Sequence, residues 1–97
     1  MVKHVVTFRF EGDRDERMEV ARRFRETLLT LPDLIDVLQS MEVGLNINPK
    51  ENWDLVLIAT VPTLEDVEKY SNHPMHLAAI ETIAEARMMR SCVDYEI

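Results

Sequence analysis

Tyr70-Ser71-Asn72-His73-Pro74-Met75-His76 carries two of the chain's three histidines and one of its two tyrosines. Histidine is the side chain most easily used as a general base near neutral pH. A tyrosine hydroxyl can donate a hydrogen bond to an oxygen on which charge develops, as in an enolate. Asp94, close to the C-terminus, is a carboxylate that can orient an imidazole and stabilise its protonated form. Together His76 as base, Asp94 as its orienter, and Tyr70 and His4 as groups that polarise a carbonyl would suit proton removal beside that carbonyl. A purely structural reading stands beside this one. His76 and Asp94 can equally form a buried pair that anchors a helix to a sheet, because structural pairs perturb ionisation as catalytic ones do. His4 can likewise be a core histidine.

For His76 to act, local structure must aim it. Pro74 pushes His73 out of the helical region and is itself well tolerated in a first helical turn. The spacing therefore predicts a break at His73, with Met75 and His76 opening a new helix. A helix N-terminus disfavours a protonated imidazole, whereas a carboxylate such as Asp94 favours it, so the two effects oppose each other at His76.

The other elements follow from periodicity. Residues 2–10 (VKHVVTFRF) read as a strand with His4, Val6, Phe8 and Phe10 on one face. Residues 11–15 form a turn in which Asp13 or Asp15 caps a helix. Apolar residues at helical spacing, including Met18, Ala21, Phe24 and Leu28, continue that helix to about residue 30. Arginines 14, 17, 22, 23 and 25 would form its solvated face. Pro32 stops it, and residues 32–37 read as a turn with Leu34 and Ile35 buried. A second strand is expected near 38–47 and a loop over 48–52. The third strand, 53–61 (WDLVLIATV), is apolar on both faces. Thr63 caps a helix to about Tyr70, a second helix runs from Pro74 to about Arg87, and residues 89–97 form the last strand. The order is β-α-β-β-α-β with the second helix split, the ferredoxin-like α+β pattern. Its helices cover one sheet face. A strand apolar on both sides asks for cover on the other, and a second copy, sheet against sheet, is the simplest source.

Composition narrows the partners. Ninety-seven residues make one domain, and 18 acidic against 11 basic residues give a net charge of −7. That balance argues against a nucleic-acid surface, and no apolar run reaches membrane-spanning length. The opening residues read as a strand and lack the long apolar run of a secretion signal. Cys92 is the single cysteine, so neither an internal disulfide nor a cysteine-built zinc cage can form; a reducing, cytoplasmic setting is expected. Cys92 itself reads as a small buried residue. His73 and His76 are three apart, but Pro74 interrupts the helix that would align them on one ion, and no carboxylates stand at helical spacing. No metal or cofactor is expected.

The motifs Val2-Lys3-His4-Val5-Val6, Tyr70-x-x-His73-Pro74-x-His76 and Asp94-Tyr95-Glu96, with the Gly44–Asn46 region and the apolar third strand, resemble the stress-responsive A/B barrel (Dabb) domain family. The resemblance implies a dimeric α/β barrel. It also implies a possible activity, because a plant polyketide cyclase of that family performs an intramolecular aldol condensation without metal or cofactor. Carried over by position, His76 is the base, Asp94 orients it, and Tyr70 and His4 line the site. Where that enzyme has a first-helix tyrosine, this chain offers Phe24. His73, Phe24 and Trp53 are further binding candidates, although Phe24 and Trp53 also suit a core or an interface. The expectation is a homodimeric module that binds a small apolar carbonyl ligand. Its alternative is a cofactor-independent, polyketide-cyclase-like carbonyl enzyme.

Overall fold

Val2–Phe10 forms strand β1, the expected run of β-branched and aromatic residues. The computed structural model describes residues 1–97. His4, Val6, Phe8 and Phe10 are all buried, while the alternate residues are only half-buried. Gly12 turns the chain with φ of 109°, a conformation that favours glycine. Helix α1 spans Arg14–Leu28. Asp13 caps it by accepting from the Glu16 N–H, and the Glu16 side chain reaches back to the Asp13 N–H. After a short 3₁₀ turn at Leu31–Asp33, β2 (Ser40–Leu45) and β3 (Leu55–Val61) form a hairpin.

Helix α2 (Leu64–Ser71) starts at a second capping box, in which Thr63 and Asp66 satisfy each other's backbone N–H groups. Helix α3 (Pro74–Glu81) begins after the break, and β4 (Arg87–Glu96) closes the chain. The sheet order is β2-β3-β1-β4, with every neighbouring pair antiparallel. This is the ferredoxin-like arrangement. The core lies between one sheet face and the helices, where Val6, Phe8, Phe10, Leu57 and Ala59 meet Ala21, Phe24, Leu28, Tyr70, Ala79 and Ile83.

Several expectations are corrected by packing. Ile35 is buried but Leu34 is 45% exposed, because neighbouring residues at the end of a tight turn point in different directions. The third strand starts at Leu55, two residues late, because Asp54 has turned inward. Its carboxylate accepts from the Phe10 N–H at 2.9 Å and from Arg17 Nε–H at 3.1 Å. Arg17 therefore belongs to a buried ion pair. Arg25 stays on the exposed face and donates to the Val43 carbonyl at 3.2 Å. Helix α3 ends at Glu81, nearly two turns early, where i to i+3 bonds through Thr82–Ala86 tighten the chain before β4. Cys92 is exposed, since it lies on β4, an edge strand whose residues are all exposed in the single chain.

On the face away from the helices, Val5, Val56 and Ile58 are half-buried, and Val93 and Tyr95 are exposed. No helix is long and apolar enough to cross a membrane.

Candidate functional site

The break between α2 and α3 uses His73 for the fold. Its extended backbone makes it the α3 N-cap, and its Nδ1 accepts from the Met75 N–H at 3.1 Å. It does not line the cavity described below. His76, in the first turn of α3, reaches back across the break, and its Nδ1–H donates to the Ser71 carbonyl at 2.8 Å. That bond selects the tautomer and leaves Nε2 as the basic nitrogen. Burial holds the His76 imidazole below its ordinary pKa, against the opposing effect of the Ser71 bond; the positive fields of His4, Arg90 and His73 lower it further.

Tyr70, in the last turn of α2, is fully buried. Its ring lies 4.5 Å from the His76 ring and 5.9 Å from the His4 ring, centroid to centroid. Its hydroxyl is buried without a hydrogen-bond partner. Burial pushes the phenol's pKa well up, with Arg90 opposing, so the hydroxyl is a proton donor. The three rings line a cavity of about 180 Å³ between the helices and the sheet. Val6, Phe8, Leu57 and Ile80 supply its apolar wall, and Ser71, Leu77, Arg87 and Arg90 complete it.

Asp94 does not bond to His76. It accepts from His4 Nδ1–H at 2.5 Å. His4 and Asp94 are directly opposed in the β1·β4 ladder, and opposed side chains on one sheet face stand within about 5.5 Å of each other. His76 sits on a helix and finds a backbone carbonyl instead. The pairing expected from sequence is thus replaced by a His4–Asp94 pair, with His76 held independently. Cys92 joins that pair: its Sγ lies 3.4 Å from His4 Nδ1 and 3.7 Å from Asp94 Oδ1. The three donor atoms fall within 4.8 Å of one another, a grouping of metal-ligand types that sequence spacing did not suggest. Burial and then the Asp94 charge raise the Cys92 thiol's pKa, so it remains protonated near neutrality.

Phe24 is elsewhere. It packs edge-on against Phe8 and Phe10 in the core, with centroids 5.4 and 6.4 Å away. Trp53 lines a separate groove with Arg9, Asn52, Met88 and Met89. Arg87 and Arg90 are the site residues that sequence reasoning missed. Strict alternation along a strand places residues three apart on opposite faces. Arg90 opposes Phe8 in the regular ladder, on the same face as Asp94, and a register shift at Arg9/Phe10 lets Arg87 oppose Phe10, which brings the second arginine to the same cavity. No signal in the sequence marks that irregularity.

The profile of one family, the stress responsive A/B barrel domain, matches residues 2–97. The chain belongs to that family. Among solved structures, this A/B barrel domain is similar to a dimeric protein of unknown function with a ferredoxin-like fold from Bacteroides fragilis. The two are 41% identical, with 99% of this chain and 95% of that one covered and a TM-score of 0.93. A Dabb family protein with a ferredoxin-like fold from Mesorhizobium loti is 18% identical, over 99% of this chain and 95% of that one, at a TM-score of 0.77. The hydroxynitrile lyase from Passiflora edulis shares the fold at 14% identity, with 99% and 92% covered and a TM-score of 0.79. No curated protein matches the chain. The A/B barrel assignment fixes the fold and assigns no physiological role.

Proposed function

We propose that this A/B barrel domain is a homodimeric module that binds a small, largely apolar carbonyl compound in the cavity beside Tyr70. One observation carries the reading: a fully buried tyrosine hydroxyl without a partner. An unpaired buried hydroxyl costs about 1–3 kcal/mol, a cost that a ligand oxygen accepting its proton would remove. The surrounding wall of Val6, Phe8, Leu57 and Ile80 suits an apolar body. The test is NMR titration of the ¹⁵N-labelled protein with acetophenone and short alkyl ketones. Shifts clustered at Tyr70, Ser71, His76 and Leu77 are expected, and their loss in Tyr70→Phe. A panel that leaves those amides unmoved would defeat the proposal.

The dimer belongs to the same proposal. The half-buried Val5, Val56 and Ile58 with exposed Val93 and Tyr95 offer an apolar sheet face, and the Bacteroides relative at 41% identity is dimeric. Val93→Lys is expected to shift the mass measured by light scattering from dimer to monomer. A cytoplasmic setting is part of the proposal, supported by the single cysteine.

A second reading rests on the bond from His76 to Ser71. A neutral imidazole with Nδ1–H engaged and Nε2 basic is equipped to remove a proton beside a carbonyl. In that reaction the α-proton passes to His76 Nε2, and the C–H electron pair moves into the enolate. The enolate oxygen accepts from the Tyr70 O–H, and its carbon attacks a second carbonyl or is reprotonated. The His4–Asp94 pair adds an oriented imidazole to the same cavity. Deuterium exchange into the α-position of a β-diketone would detect it. A rate equal to that of His76→Ala would leave the binding module alone.

A further inference from the structure

We infer that the ligand of this cavity carries a carboxylate in addition to its carbonyl, and that Arg87 and Arg90 hold it. The inference rests on the small-molecule reading and specifies the chemical class. The cavity lining contains two arginines and no acidic residue, in a chain where acidic residues outnumber basic ones by 18 to 11. The structure's ion pairs use Arg9, Arg17, Arg23, Lys69 and His4, but neither Arg87 nor Arg90. Two guanidinium groups lining one cavity without a counter-charge repel each other, and an anion bound in that cavity reduces the repulsion. A carboxylate also matches the planar fork of an arginine in bidentate geometry.

The positions fit the parts of such a molecule. Arg87 and Arg90 are exposed, so they stand at the rim, whereas Tyr70, Val6, Phe8 and Leu57 are buried behind them. The Arg87 guanidinium carbon lies 6.0 Å from the Phe8 ring centroid, near the limit of a cation–π contact, so the aromatic wall continues to the charged rim. The positive charge of Arg90 also reaches both rings: burial raises Tyr70 with Arg90 opposing it, and burial lowers His76 with Arg90 adding to it. The cavity, about 180 Å³, is comparable to the roughly 150 Å³ apolar cavity that accepts a benzene ring. One ring or a branched alkyl group inside, a carbonyl oxygen at Tyr70 and a carboxylate at the rim describe a small aryl or branched keto acid. A neutral ketone would leave the arginines unpaired.

The test is calorimetric titration of the protein with phenylpyruvate and with its methyl ester. The two share ring and ketone and differ in the charge. The acid is expected to bind at least ten-fold more tightly at low salt. That preference should shrink in Arg90→Gln and Arg87→Gln and weaken as salt screens it. Equal binding of acid and ester, with both lost in Tyr70→Phe, would overturn the carboxylate while keeping the pocket reading. A preference for the acid that survives both arginine substitutions would overturn the assignment to Arg87 and Arg90. Failure of both compounds to bind would overturn the pocket reading and this inference together.

Discussion

His4 and Asp94 face each other across the β1·β4 ladder, and His4 Nδ1–H donates to Asp94 Oδ1 at 2.5 Å. The carboxylate therefore orients His4, and its removal should be felt at His4 and not at His76. In Asp94→Asn, the His4 imidazole resonances are expected to move while those of His76 keep their titration curve. Stability should fall by about 1 kcal/mol, since Asp94 is partly exposed and water replaces part of the bond. A shifted His76 titration would show that Asp94 acts on the helix histidine in solution.

Tyr70→Phe separates stability from binding. The substitution removes a buried hydroxyl that no protein group satisfies and keeps the ring against His4 and His76. The unliganded protein should gain about 1 kcal/mol, the low end of the cost of an unpaired buried hydroxyl, a rise in Tm of roughly 4–8 °C for a domain of this size. Ketone binding should fall in the same variant. A clear loss of thermal stability would mean that the hydroxyl is hydrogen-bonded.

Asp54→Ala should be among the most damaging polar substitutions in the chain. The Asp54 carboxylate is almost fully buried and serves both the Phe10 N–H and Arg17. Its loss leaves a buried donor unpaired and strips Arg17 of its counter-charge. A cost of about 3 kcal/mol is expected in urea unfolding. A cost below about 1 kcal/mol would mean that water reaches the group.

His76 should make the protein less stable in acid. Its folded pKa lies below its ordinary value because burial disfavours the charged ring. Below about pH 6.5 the unfolded chain binds a proton at this position that the folded chain resists, so this contribution to stability is lost as pH falls toward the folded pKa. Between pH 7.5 and 5.5 the urea midpoint of the natural protein should drop further than that of His76→Gln. Equal drops would assign the acid sensitivity to other groups.

Local chemistry was legible in the sequence wherever a residue's partner lies nearby in the chain. The burial of His4, Val6, Phe8 and Phe10 followed from alternation. Asp13 and Thr63 cap helices because their acceptors reach N–H groups three residues on. Pro74 broke the helix at His73 because proline constrains the residue before it. These periodicities and junctions sufficed for the ferredoxin-like order. Long-range pairing was decided only by the tertiary structure. Asp94 bonds His4 and not His76 because strand register, set by the whole ladder, places them opposite each other. Arg87 and Arg90 share the cavity because one irregularity at Arg9/Phe10 offsets the alternation. Asp54 turned inward because the Phe10 N–H and Arg17, distant in sequence, stabilise a buried carboxylate there. Each of these depends on which distant side chain occupies a given few ångströms, a quantity that the spacing of residues along the chain does not contain.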